Sequence, residues 1–407
     1  MKQSRRRFDK SEYLERQRKT RVAMESEGVD LLIVYDPANM CWLTGYDGWS
    51  FYVHQCVIIS SDGLLFWYGR GIDAKGAELT TDLNLDDILP YPDDYVMSTE
   101  RHPMEFLATI LKDKGLNKKR IGLEKDNYYF SARAAESLYN SLPEAIFSDQ
   151  TGLVNWQRAV KSDTEITYMK HAGKVLEGIY ERVMKVAKPG MRKNDLVAEI
   201  MHAGAKGHQG HYGDYTSFVP LIGAGEEAAA CHMTWNDQQL NNDEGMFLEL
   251  AGAYARYHCP CSRTLFLGSP PQQYLDIEKV IAECIENAVS MFKPGNTCAE
   301  ISDNFTATLK KYGYEKNNRC GYPIGLSYPP DWGERTMSLR GTDQTILKEN
   351  MTFHFMPAIW FDDWGFEMTE SIRVGENGGE CLSKVPRQLL LSLIHISEPT
   401  RPRLISY

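Results

Sequence analysis

Apolar positions in the first third of the chain alternate between two rhythms. "SEYLERQRKTRVAMESEG" (11–28) spaces them at helical intervals and stops at Gly28, and "DLLIVYD" (30–36) follows as a short apolar run between turn residues, the pattern of a helix feeding a buried strand. "QCVIISSDGLLFWYG" (55–69) sets Asp62 and Gly63 between two apolar runs, which predicts a hairpin. "PMEFLATILKDKG" (103–115) before "RIGLEK" (120–125) repeats helix then strand. The alternation predicts a small α/β domain over residues 1–155.

From Asn155 the rhythm becomes helical for much longer. "WQRAVKSDTEITYMKHAGKVLEGIYERVMKVAKPG" (156–190) is amphipathic, with Ser162 and Asp163 as a start signal and Glu165 in place for a capping box. An internal echo follows: "ERVMKVAKPGMRKNDLVAEI" (181–200) is matched by "ENAVSMFKPGNTCAEISDNF" (286–305), and each copy leads to a strand-like run, "GMFLELAG" (245–252) and "NMTFHFMP" (350–357). A duplicated helix-helix-strand-strand unit predicts a pseudo-symmetric, mostly antiparallel sheet covered by helices over residues 156–390, an α+β domain with its chemistry in a cleft on the sheet. The last stretch, "LSLIHISEPTRPRLISY" (391–407), breaks with this patterning and resembles translated sequencing-adapter DNA. It is read as a non-native tail and left out of the fold.

Charge changes the picture by exclusion. The net charge of −10 opposes binding to nucleic acid or to anionic membranes, and no uninterrupted apolar run reaches spanning length. A small-molecule partner is expected. Nine cysteines without regular spacing suggest reduced thiols and a cytoplasmic protein rather than a disulfide framework. "CPC" (259–261) has no matching second pair for a metal, His208 and His211 of "GHQGHYGDY" sit in a glycine-rich loop, and Cys231 beside His232 would point to the opposite face of a strand.

The quoted segments resemble a known family. The second domain is similar to the "pita-bread" fold of methionine and Xaa-Pro aminopeptidases and creatinase, the first to the N-terminal domain that creatinase and Xaa-Pro peptidases add. "DPANMCWLTGYDGWSFYVHQCVII" (36–59) resembles bacterial ectoine hydrolases, a creatinase-like branch. In metal-dependent members two aspartates, a histidine and two glutamates hold two divalent ions. By this resemblance Glu249 keeps the first position, Pro260 replaces the second aspartate, Tyr322 of "GYPIG" the histidine and Met356 the first glutamate, and Glu370 of "MTESIRV" stands as the second. Two carboxylates among a proline, a tyrosine and a methionine make a poor site for hard ions, so no metal and no cofactor are expected.

The resemblance implies hydrolysis of a cyclic amidine, opening ectoine or its hydroxy derivative to N-acetylated diaminobutyrate. Glu249 is expected at the electrophilic carbon, as nucleophile or as the base that activates water. His232 is expected as general acid/base and Glu370 as second amidinium partner. Tyr322 and Arg335 are expected to bind substrate, Arg335 through its carboxylate, with Arg340 as the competitor. Trp49, Phe51 and His54 come from a first-domain loop that in creatinase-like homodimers reaches the partner's cleft. Creatinase-like cleavage of a guanidino compound is an alternative, disfavoured by Ser262 where creatinases carry a glutamate. A metal-dependent Xaa-Pro peptidase and a non-catalytic binding protein are the others.

Overall fold

A computed structural model of the chain describes residues 6–392, and the chain divides into two compact units between Ala159 and Val160. Of the adapter-like segment 391–407, Leu391 and Ser392 are described, Leu391 pairing with Phe266 contrary to its exclusion from the fold; the segment from residue 393 onward lies outside the described residues.

In the first unit, strands β1 (Leu31–Val34), β2 (Cys56–Ser60), β3 (Leu65–Arg70), β4 (Ile88–Tyr91), β5 (Arg120–Leu123) and β6 (Ile146–Asp149) form one sheet in the order β4-β3-β2-β1-β5-β6. β1 is central and buried throughout, which is why its sequence is an unbroken apolar run. The hairpin expected at Asp62 and Gly63 joins β2 to β3, with Gly63 at φ 115°. Helices α1 (Lys10–Ser26), α2 (Pro37–Thr44), α3 (Ala74–Thr80), α4 (Pro103–Asp113), α5 (Ala132–Ser141) and α6 (Leu153–Arg158) complete the unit.

The second unit begins with α7 (Asp163–Val186), closed at its start by the expected box. Ser162 Oγ accepts from the Glu165 N–H, and Glu165 Oε2 accepts from the Ser162 N–H at 2.8 Å. With α7, α8 (Lys193–Lys206), β7 (Leu221–Ala224), β8 (Glu244–Tyr254) and β9 (Tyr257–Leu267) form the first copy of the repeat. α9 (Gln272–Met291), α10 (Cys298–Lys311), β10 (Gly321–Tyr328), β11 (Asp331–Gly333) and β12 (Thr352–Phe355) open the second. After a two-stranded hairpin of β13 (Ala358–Trp360) and β14 (Gly365–Glu367), β15 (Glu370–Val374) and β16 (Gly379–Cys381) extend the sheet, and β17 (Leu390–Leu391) lies parallel to the end of β9. The main order is β16-β15-β12-β10-β9-β8-β7, antiparallel along that path.

The two faces of this sheet differ. Gly252 faces α7 so closely that a β-carbon there would lie 2.0 Å from the Ala172 carbonyl oxygen, and Tyr180 of α7 donates to the carbonyls of Leu248 and Cys261. Phe353 and Phe355 pack on Phe292 at the end of α9. Strand alternation then sends Glu249, Ser262, Thr264, Tyr322 and His354 to the opposite face, left open by α7 and α9, although the side chains themselves are buried.

Candidate active site

Glu249 sits at the middle of β8, opposite Leu221 of β7 and Ser262 of β9, and is buried. Burial pushes its carboxyl well above the usual range, and the charge of Glu367 pushes it further. Glu367, at the end of β14, is held over β9 by a reciprocal clasp: its N–H donates to Thr264 Oγ1 (2.8 Å), whose hydroxyl donates to the Glu367 carbonyl (3.1 Å). Burial raises its carboxyl to about 7, against the Trp360 indole N–H donating to Oε1 at 3.0 Å and the nearby Ser262 hydroxyl. Two buried carboxyls in each other's field cannot both ionise cheaply, so near neutrality the pair holds a proton.

Beside the pair runs a chain of neutral groups. Trp332 Nε1–H donates to Tyr322 OH (2.7 Å), which is hydrogen-bonded to His354 Nδ1 (3.2 Å), and His354 Nε2 is hydrogen-bonded to Thr369 Oγ1 (2.7 Å). His354 Nδ1 lies 4.0 Å from Glu249 Oε1. Burial, then the Lys316 charge, depress the imidazole to about 3, so it is uncharged at neutral pH. Lys316 itself, from the loop before β10, donates from Nζ to the Met356 carbonyl (2.8 Å), and burial lowers its ammonium to about 8 against the pull of Cys320, Glu367, Cys231 and Glu249.

Glu370 is not part of this cluster. Its register partner is Phe355, on the helix-covered face, and there Arg263 Nη2 binds Oε1 at 2.6 Å with both side chains essentially inaccessible. The residue of β15's approach that faces the open side is Thr369, one position earlier. Reading Glu370 as the partner of Glu249 misplaces it by that single residue, which in a strand means the other face. Glu367 is the carboxylate whose charge acts on Glu249. Arg263, likewise, pairs with Glu370 rather than with Glu249.

His232 lies on a turn after a short 3-10 segment (Gly225–Ala229), not on a strand, and is exposed. Its neighbour Cys231 is half-buried, with a thiol raised by burial and then by Glu367, so this turn lies within the field of the pair. Arg335 is exposed, in left-handed backbone (φ 56°), following Glu334, which forms a buried ion pair with Lys161 at 2.6 Å. Arg340 is exposed as well. In the first unit, the Trp49 and Phe51 rings pack 4.8 Å apart and the His54 ring lies 4.5 Å from that of His102. Cys259 and Cys261 are buried free thiols, and His208 and His211 form an isolated bridge in their loop.

Residues 167–377 match metallopeptidase family M24, and residues 16–160 match the creatinase/prolidase N-terminal domain. The chain belongs to family M24. This M24 chain is 50% identical over 391 residues to the ectoine hydrolase of Halomonas elongata, an alignment covering 94% of this chain and 98% of that one. It is 39% identical over 385 residues to an uncharacterized hydrolase/peptidase of Sinorhizobium fredii, covering 94% and 98%. Among solved structures, the prolidase of Thermococcus sibiricus superposes with a TM-score of 0.80 at 18% identity over 93% of this chain and 99% of that one, which places this M24 chain in the pita-bread fold that the family resemblance implied.

The family name implies metal, and the open face of this member does not suit it. Pro260 offers no side-chain donor, the Tyr322 phenol is raised by burial and by Glu249 and stays protonated, His354 has both nitrogens engaged, and both carboxyls are raised by burial, which disfavours two anions there. Hard divalent ions need several anionic or carbonyl oxygens at fixed distances, and this set does not supply them. Sequence reasoning missed Glu367, His354 and Lys316. Only alternation counted outward from Glu249 and Tyr322 had the power to find the first two.

Proposed function

We propose that this chain opens the ring of ectoine by hydrolysis without a metal ion, giving N-acetylated diaminobutyrate. The observation that carries this reading is the pair of buried carboxyls, Glu249 and Glu367, on the open face, each raised by burial. An amidinium presents two N–H donors to a carboxylate, a charge-assisted arrangement. A pair that holds one proton supplies both the anion that receives those donors and the acid that the leaving nitrogen needs.

In this reading Glu249, on β8, acts at the amidine carbon, and Glu367 carries the proton held by the pair to the departing ring nitrogen. Addition of one water and cleavage of one ring carbon–nitrogen bond leaves an amide and a free amine, so atoms and charge balance. Tyr322 and His354 form the uncharged wall beside Glu249. His232, exposed on its turn, exchanges the proton with solvent. The relative from Halomonas elongata, named an ectoine hydrolase, supports the choice of substrate. Trp49, Phe51 and His54 belong, in this reading, to the loop that covers the partner's substrate in a homodimer. A fully active monomer in sedimentation would end that part of it.

The test is ring opening of ectoine by chelator-dialysed protein, followed by NMR, with creatine in parallel. Turnover of ectoine alone, unchanged by added divalent ions, supports the proposal. Dependence on an added ion, or turnover of creatine in its place, sinks it.

A further inference from the structure

We propose, resting on the reading above, that Lys316 determines specificity: its ammonium group takes the carboxylate of the substrate while Glu249 and Glu367 take the amidinium. The geometry is a continuous chain of contacts. Lys316 Nζ lies 4.8 Å from the centre of the Trp360 ring and is tethered to the Met356 carbonyl at 2.8 Å. The edge of the same indole donates to Glu367 Oε1 at 3.0 Å. Cation, indole and carboxylate therefore share one wall of the site, with Glu249 beside Glu367.

An ammonium group has three N–H donors. One is used on a neutral carbonyl, and among the described residues no carboxylate forms an ion pair with it. A lysine kept half-buried over an aromatic face, near two carboxyls yet bonded to neither, has donors left for an anion. The site then carries one net negative charge on the carboxyl pair and one positive charge on Lys316, the complement of a small zwitterion with a cationic amidine and an anionic carboxylate. The charges that act on Glu249 are those of Glu367 and Lys316. Arg335, given this role from the sequence, is exposed. Arg319, stacked 4.5 Å over the Tyr322 ring and bonded to Ser338 Oγ, is the competing cation.

The experiment uses the full chain and its Lys316→Met, Lys316→Arg and Arg319→Gln variants. For each, KM and kcat are measured for ectoine, and Ki for the same methylated ring lacking its carboxylate, as a competitor. Losing a hydrogen bond to a charged group corresponds to about 10- to 150-fold in affinity. Lys316→Met is expected to raise KM for ectoine by that factor while Ki of the carboxylate-free ring stays within about twofold, and Lys316→Arg to recover part of the loss. The unchanged Ki also reports an intact fold. Equal weakening of both compounds in Lys316→Met means that Lys316 acts on the carboxyl pair and overturns the assignment, as does a selective loss confined to Arg319→Gln. Wild-type protein that opens ectoine with either of those results sinks this inference alone. Wild-type protein that leaves ectoine intact sinks the functional reading and the inference with it.

Discussion

Glu370→Gln separates a residue that holds the sheet from one that meets substrate. In the wild type its carboxylate neutralises Arg263, and both are essentially inaccessible. Removing one partner of a buried ion pair costs about 3–5 kcal/mol, because the other charge stays buried and uncompensated. Arg263 keeps the backbone carbonyls of Ser262, Thr369, Val385 and Pro386 as acceptors, which places the cost at the lower end, about 3 kcal/mol. For a unit of this size each kcal/mol shifts the midpoint by about 2–4 °C, so thermal unfolding followed by circular dichroism should begin about 6–12 °C lower. Replacing Glu370 and Arg263 together by methionine should recover most of that loss, since an apolar pair of similar volume avoids the desolvation cost. At a temperature where the variant is folded, kcat should stay within about tenfold of wild type. A variant with the wild-type midpoint and a collapsed kcat would place Glu370 at the substrate and refute the face assignment.

Glu249→Ala should bind ectoine and lose its turnover by about a thousandfold or more in steady-state assays, since the acting group is gone while the wall remains; retained turnover would end the mechanism. Glu367→Gln bears on pH. A carboxyl raised in the folded state gives stability that is whole below its ordinary value of 4.5 and is lost as pH rises through the folded value, about 7. Urea unfolding should therefore show this variant gaining more stability over wild type at about pH 8 than at about pH 5, and equal gains would contradict the shared proton. His232→Ala should leave the unfolding midpoint unchanged, because the ring is exposed, while lowering kcat; a wild-type kcat would remove its role in proton exchange.

Much of the fold was legible because its signals are local or repeated. The capping box at Ser162 and Glu165, the Asp62-Gly63 hairpin and the echo of the two Lys-Pro-Gly turns each act within a few residues or by copying. The site was harder to read, because it depends on which face a side chain takes. In "GFEMTES" the motif marks a carboxylate near the end of a strand, and two carboxylates stand three positions apart. Only the pairing of Phe355 with Glu370 decides that Glu370 faces the helices, and only the clasp with Thr264 turns Glu367 toward Glu249. Lys316 was invisible for a different reason. It comes from an irregular loop without periodicity, and tertiary packing on Trp360 gives it its place.

The alternation of the sheet also divides the labour of any attempt to retrain this protein. A library confined to Ala251, Pro260, Ser262, Tyr322 and Thr369 would sample new pockets on one side of the strands, while their immediate neighbours Leu250, Cys261, Arg263 and Glu370 are left alone to keep the scaffold standing. Randomising a contiguous stretch, by contrast, would spend half of its diversity on collapse.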